Sequence, residues 1–323
     1  MKLIILESHD PYKNLAIEEY LLECADDDIM MLWQNSPCVV IGKNQNAFAE
    51  INTDFTNKNG ILVARRVSGG GAVYHDLGNV NYTFISSKRE DGIDFKTFTA
   101  PIIDALSSLG VSVSLSGRND LEANGRKVSG NAQHVRGSKV LHHGTLLFNS
   151  NLNILSDALK VDEEKIKTKA IKSTRSRVIN LIDLMDEKIE VSDFISSIAE
   201  FVIKKYDAKI TDAPKSSRID ELEKRNRSRE WLFPENGYIS KYSTRRKVKY
   251  NFGIVDIYLE MKNDVIEDAK ILGDFFGVND ISIVEKSLAG KRIDELFEVS
   301  EILSISKYIS GMLPEQFISQ IKQ

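Results

Sequence analysis

A chain of 323 residues with 42% hydrophobic and 28% charged side chains has enough apolar material for one large core and a smaller satellite, and too much to stay disordered. Its 43 lysines and arginines are outnumbered by 47 acids, so no general cationic surface exists to hold nucleic acid through its phosphates. No apolar run approaches a membrane span, the run after Met1 is too short for a signal peptide, and a cytoplasmic location is expected.

In chain order, residues 2–6 read as a strand, and the apolar spacing of Leu15, Ile17 and Leu21 predicts a helix over 14–24 capped by Asn14. Residues 30–33 and 38–41 read as short strands around Pro37, and Cys24 and Cys38, which form no CxxC pair, as buried inert thiols. Residues 61–64 and 82–85 are expected to be strands joined as a hairpin-like device by the glycine-rich loop between them. A helix over 98–109 is confined at its start by Pro101 and stopped by Gly110. Residues 111–115 alternate as a strand does, and Asn124-Gly125 is a strong hairpin signal that places Lys127 on the strand after it. Residues 146–148 suit a short strand, 156–177 a short helix and then a basic loop, and 192–206 a longer helix. The stretch 207–230 is polar and poor in large apolar residues. The charged, unpatterned segment 240–248 marks a boundary, giving domains 1–245 and 246–323; the second resumes with a strand over 252–259 and ends in helical segments that include 301–308.

Two segments carry candidate chemistry. Gly69, Gly70 and Gly71 stabilise no strand, because glycine loses backbone entropy and packs no side chain, but they let backbone N–H groups approach a ligand's anionic oxygens. Arg65, Arg66 and Ser68 add charge and a hydroxyl, which suits phosphate; the plainer alternative is a tight turn flanked by surface arginines. Lys127, beside Ser129 and Gly130, is placed to lie over an α-phosphate and a carboxylate oxygen as the two are joined, or else is an ordinary solvated lysine. Adjacent His142 and His143 must point to opposite faces of a strand, and the five histidines show no metal spacing, so they read as hydrogen-bonding supports. The basic run 167–177 is a solvated loop, a loop that orders over nucleotide, or a guide for an acidic partner. The sequence names no metal ligand.

RRVSGGGAVYHDLGNVN (65–81), IGKNQNAFAEIN (41–52), GRNDLEANGRKVSGNAQ (117–133), HHGTLLFN (142–149), KAIKSTRSRVINL (169–181) and GDFFG (273–277) closely resemble, in order, the signature blocks of bacterial lipoate-protein ligase A. The resemblance implies an α+β fold: a biotin/lipoate ligase catalytic domain, similar to class II aminoacyl-tRNA synthetase cores, with a small α+β C-terminal accessory domain. It implies use of ATP and Mg2+ to activate lipoate as lipoyl-AMP, and transfer of the acyl group to a lysine of a lipoyl domain. Acceptors would be 2-oxoacid dehydrogenase E2 subunits or the glycine cleavage H protein, with no nucleic acid or membrane partner, and the protein would be a monomer. By the same resemblance Arg66 contacts phosphate, Gly69, Gly70, Gly71, Ala72, Val73, Tyr74 and Asn79 hold the adenylate, Asp120 positions adenine or magnesium, and Lys127 is the essential lysine. A cysteine-based acyltransferase of the same fold is disfavoured, since neither Cys24 nor Cys38 lies near Lys127. Biotin-protein ligase is the alternative enzyme, and a binding protein that has lost catalysis the alternative of another class.

Overall fold

The computed structural model describes residues 1–87, 93–160, 177–234 and 239–322. Its frame is an eight-stranded sheet. The strands are β1 (Lys2–Ile5), β2 (Ile29–Trp33), β6 (Asn79–Ser87), β7 (Ser114–Ser116), β8 (Asp120–Ala123), β9 (Arg126–Arg136), β10 (Lys139–Leu147) and β11 (Lys209–Ile210), in the order β11-β1-β2-β6-β10-β9-β8-β7. Only the β11-β1-β2 edge is parallel. A smaller sheet orders β3 (Cys38–Ile41) between β4 (Leu62–Arg65) and β5 (Val73–His75), and a third joins β12 (Thr244–Tyr250), β13 (Gly253–Lys262) and β14 (Val265–Gly273) in a meander.

Alternation along the central strands divides their side chains between two cores. Met30, Leu32, Tyr82 and Phe84 face α4 (Phe95–Ser108) and α6 (Val191–Tyr206), the helices α2 (Ala47–Glu50), α3 (Thr53–Lys58) and α5 (Leu152–Ala158) being short pieces elsewhere in the domain. Met31, Trp33, Ile85 and Leu141 face α1 (Pro11–Cys24), α7 (Ser217–Arg227) and part of the small sheet. The third sheet packs on α9 (Ser282–Leu288) and α11 (Pro314–Lys322) around a separate core whose buried members all lie in residues 255–321. At about 25 cal/mol per Å² of apolar surface removed from water, that many buried side chains can hold a small unit together.

Several expectations change. The cap of α1 is Asp10, which accepts from Tyr12 N and Lys13 N with Pro11 in the first turn; Asn14 is fully buried and tied to Ser8 and Gln34 carbonyls and to Asn35. Residues 62–65 and 79–87 do not form a hairpin: β4 pairs in parallel with β3, while β6 enters the large sheet. Pro101 sits inside α4, which begins earlier under the cap of Asp94. Cys38 is buried, and burial pushes its thiol up, but Cys24 is exposed at the end of α1. The polar stretch 207–230 holds α7, whose apolar face is only Ile219 and Leu222, and the charged stretch near 244–250 is the edge strand β12, whose residues alternate between exposed and half-buried. Residues 167–176 of the basic run lie outside the described residues.

Candidate active site

The Asn124-Gly125 turn forms as expected, with φ of 51° and 69°, and joins β8 to β9 through the pair Ala123 and Arg126. A bulge then matters more than the turn. Leu121 pairs with Ser129 but Glu122 with Lys127, so Val128 is the extra residue. The odd separation between Lys127 and Gly130 would put them on opposite faces of a regular strand; the bulge brings both to one face. There Lys127 Nζ lies 2.8 Å from Asp120 Oδ1, both side chains about one-third exposed. A Cβ at position 130 would stand 2.9 Å from that Nζ, so the glycine lets the lysine lie across the sheet.

The glycine loop closes the opposite wall. Arg66 is buried and makes four hydrogen bonds, to Ser68 Oγ (3.0 Å) and to the carbonyls of Val40 (3.0 Å), Gly69 (2.7 Å) and Gly71 (2.7 Å). Burial pulls its guanidinium down to about 10, still charged at neutral pH. Arg66 thus holds the carbonyls of Gly69 and Gly71 in place, while Gly70 N is taken by Phe275 O. Arg65 is equally buried and donates to the carbonyls of Gly42, Lys43, Gln45 and Leu232. The arginines are therefore not the surface flank of a turn: Arg66 braces the glycine loop, and Arg65 braces the neighbouring 42–45 segment.

Beneath the loop runs a buried polar chain. Ser68 Oγ lies 2.7 Å from His143 Nε2, whose Nδ1 donates to the Glu18 carboxylate at 2.9 Å, and Glu18 also accepts from Thr83 Oγ1. His143 and His142 do point to opposite faces: His142 stacks on Phe98 and Tyr82, with its charged form strongly disfavoured by burial. Glu18 has no signal in the sequence, since a lone glutamate on a helix reads as solvated until the helix is seen to lie on a sheet.

Both walls face one cavity of about 410 Å³. Of the expected residues it brings together Arg66, Gly71, Ala72, Val73, Asp120 and Lys127. Tyr74 instead packs in the core of the small sheet, and Gly69 faces a neighbouring cleft with Lys43 and His134. Asn79 is buried behind the cavity and donates to Asn81 Oδ1, and it is Asn81 that lines the space. Trp33, His75, His143 and Arg118 line it too, and the C-terminal domain adds Asp274. That domain reaches the site through its GDFFG turn. Gly70 N donates to Phe275 O at 3.3 Å, Arg118 stacks over Phe276 at 4.5 Å, and a Cβ at Gly69 would stand 2.3 Å from Phe275 O.

A cavity that sets a lysine on one wall against a glycine-rich loop on the other, with apolar and polar side chains between them, suits an enzyme that joins a carboxylate to a nucleotide phosphate. The family comparisons agree. Residues 10–203 match the lipoyl protein ligase A/B catalytic domain, and residues 240–321 the bacterial lipoate protein ligase C-terminus. Lipoate-protein ligase LplJ of Bacillus subtilis is 40% identical over 97% of this chain and 97% of its own. Among solved structures, P. falciparum LipL1 in complex with lipoate is similar at a TM-score of 0.80 and 25% identity, covering 99% of this chain and 98% of that one. Lipoate-protein ligase A bound with ATP is similar at 0.61 and 26%, covering 72% and 98%. A bipartite lipoate protein ligase of Thermoplasma acidophilum, solved in a study of that ligase and its E2 lipoyl domain, is similar at 0.63 and 29%, covering 72% and 95%. The chain belongs to the lipoate-protein ligase family and is a ligase of that kind.

Proposed function

We propose that this protein condenses lipoate with ATP to lipoyl-AMP, then passes the lipoyl group to the acceptor lysine of a lipoyl domain in a 2-oxoacid dehydrogenase E2 subunit or the glycine cleavage H protein. The observation that carries the reading is the opposition of Lys127 and the Gly71–Val73 segment across one cavity. Attack of a carboxylate on the α-phosphorus brings two anions together, so the barrier is largely electrostatic. Lys127 supplies charge at the joining atoms, and the loop amides supply fixed donors for the phosphate oxygens. In the second step the acceptor's amine attacks the acyl carbon, loses a proton, and AMP leaves. No nucleophile from this chain is needed.

Arg66 acts, in this reading, mainly through the loop it braces. Magnesium fits the site as a companion of the triphosphate: among the described residues no cluster of three or more ligating side chains exists, while Asp120 and Asp274 line the cavity, and Mg2+ is commonly held by one or two carboxylates plus phosphate. It would offset phosphate charge there. We place the domain division at 245/246, close to the start of β12, because the C-terminal core draws its buried side chains from residues 255–321 and its half-buried ones from Tyr250 onward. A cytoplasmic monomer completes the proposal. The exposed free Cys24 suits a reducing compartment, and no helix among the described residues is long and apolar enough to cross a membrane.

Incubation with ATP, magnesium, lipoate and a purified lipoyl domain should add one lipoyl group to that domain by intact mass and release pyrophosphate. An unmodified domain together with no lipoate-dependent pyrophosphate overturns the reading.

A further inference from the structure

The register of the large sheet lays a straight row across the cavity floor. Asp120 pairs with Gly130, Gly130 N donates to Thr145 Oγ1, Thr145 pairs with Asn81, and Asn81 pairs with Trp33. Lys127 Nζ stands over Gly130 at one end, and Trp33 closes the other. At about 4.8 Å per strand, Asn81 lies roughly 10 Å from Gly130 and Trp33 roughly 14 Å. An acid whose carboxylate sits at Lys127 therefore brings its far end to Asn81 and Trp33 if its chain is of medium length.

Two polar groups there have no partner. Asn81 is 1% exposed; one end of its amide pairs with Asn79, and the other end meets no partner among the described residues. His75 is 4% exposed and lies against Trp33 with ring centroids 6.2 Å apart. Its proton position is fixed from behind: Asn14 Nδ2 donates to Asn35 Oδ1, which leaves Asn35 Nδ2 to donate to His75 Nδ1 at 3.0 Å. The ring's hydrogen is thus on Nε2, which lacks a partner. Burial holds the ring neutral, its charged form suppressed down to about 3. Both residues line the cavity. An unpaired donor removed from water is unfavourable, and a site built this way favours the ligand that supplies the acceptor.

We propose that His75 Nε2–H, with the unpaired end of the Asn81 amide beside it, is a specificity-determining group that selects acids whose far end carries hydrogen-bond acceptors, such as the sulfurs of a dithiolane ring, over acids of the same length ending in plain hydrocarbon. The inference rests on the lipoate-ligase reading and adds to it the basis of acyl selection. A plain chain leaves both groups unpaired in the closed cavity; sulfur, though a weak acceptor, meets the His75 donor.

The test compares ATP-dependent pyrophosphate release with lipoate, octanoate and 5-cyclopentylpentanoate, the last keeping the ring and removing the sulfurs. The wild-type protein should prefer lipoate over the carbocyclic acid by about tenfold or more in kcat/KM. Asn81→Leu and His75→Phe should each reduce that preference several-fold, chiefly by losing lipoate, with the melting temperature of each variant reporting an intact fold. Equal use of lipoate and the carbocyclic acid by the wild type, or an unchanged preference in variants active with octanoate, overturns the inference and leaves the ligase reading standing. No release with any acid overturns the ligase reading, and this inference with it. If either variant is inactive with all three acids, the wild-type comparison alone decides.

Discussion

The two walls of the cavity carry their charges differently. On the glycine-loop side Arg65 and Arg66 are buried and committed to backbone carbonyls, Arg66 to those of the loop that would meet phosphate and Arg65 to those of the neighbouring 42–45 segment and of Leu232. On the hairpin side Lys127 is about one-third exposed, and its partner is the similarly exposed Asp120. A guanidinium, planar and rich in donors, suits the first task; a compact ammonium on a flexible stem suits the second. Conspicuous basic residues in one site can thus be frame on one side and chemistry on the other.

The largest expected effect would break the comparison directly. Lys127→Ala should lower lipoate-dependent pyrophosphate release by about 10²–10³-fold, the usual consequence of removing one placed electrostatic group, with little change in melting temperature because a partly exposed ion pair adds little stability. A large fall in melting temperature would show the lysine to be frame as well.

Next in size is a contrast within the loop. A Cβ at Gly71 meets nothing within 4 Å, whereas one at Gly69 meets Phe275 O at 2.3 Å. Gly71→Ala should reduce adenylation by about ten- to a hundredfold at near-normal stability, since its methyl enters the space expected for ligand. Gly69→Ala should lower unfolding free energy by about 2–3 kcal/mol in denaturant titrations, because backbone must shift. Equal effects of the two on stability would erase the distinction between ligand-facing and packed glycines.

The smallest effect concerns the neutral histidines around the loop. Burial lowers His75 to about 3 and His134 to about 4, from an ordinary value near 6.5. Below about pH 6.5 the unfolded chain takes up protons that the native protein refuses, so stability falls as pH drops toward 4 and is fully present above 7. Between pH 6.5 and 5.5 the two together should remove about 2 kcal/mol, read from denaturant midpoints. A midpoint unchanged over that interval would mean that these rings are solvated.

Much of the site was legible in residue chemistry. Consecutive glycines have few uses besides close backbone approach, and Asn124-Gly125 fixed a turn through local sterics that no distant contact needed to supply. The periodic helices 14–24 and 192–206 and the central strands also followed from spacing. What failed did so where local signals compete. Asn14 and Asp10 are both able to cap, and the buried amide sites near Ser8 and Asn35 decided between them. Strand β12 is charged along an exposed edge, and α7 has too narrow an apolar stripe to announce itself.

By itself, then, the sequence determined the family, the glycine loop, the turn and the candidate lysine, because each is written in a few adjacent residues whose geometry is local. Tertiary structure alone decided which charges are spent on the frame. The β9 bulge brought Lys127 to the face of Gly130; sheet register aligned it with Asn81 and Trp33; and burial turned the two arginines, Glu18 and His143 into scaffold. Those outcomes depend on pairings between residues far apart in the chain, where the cost of leaving a polar group unpaired, rather than any local preference, selects the arrangement.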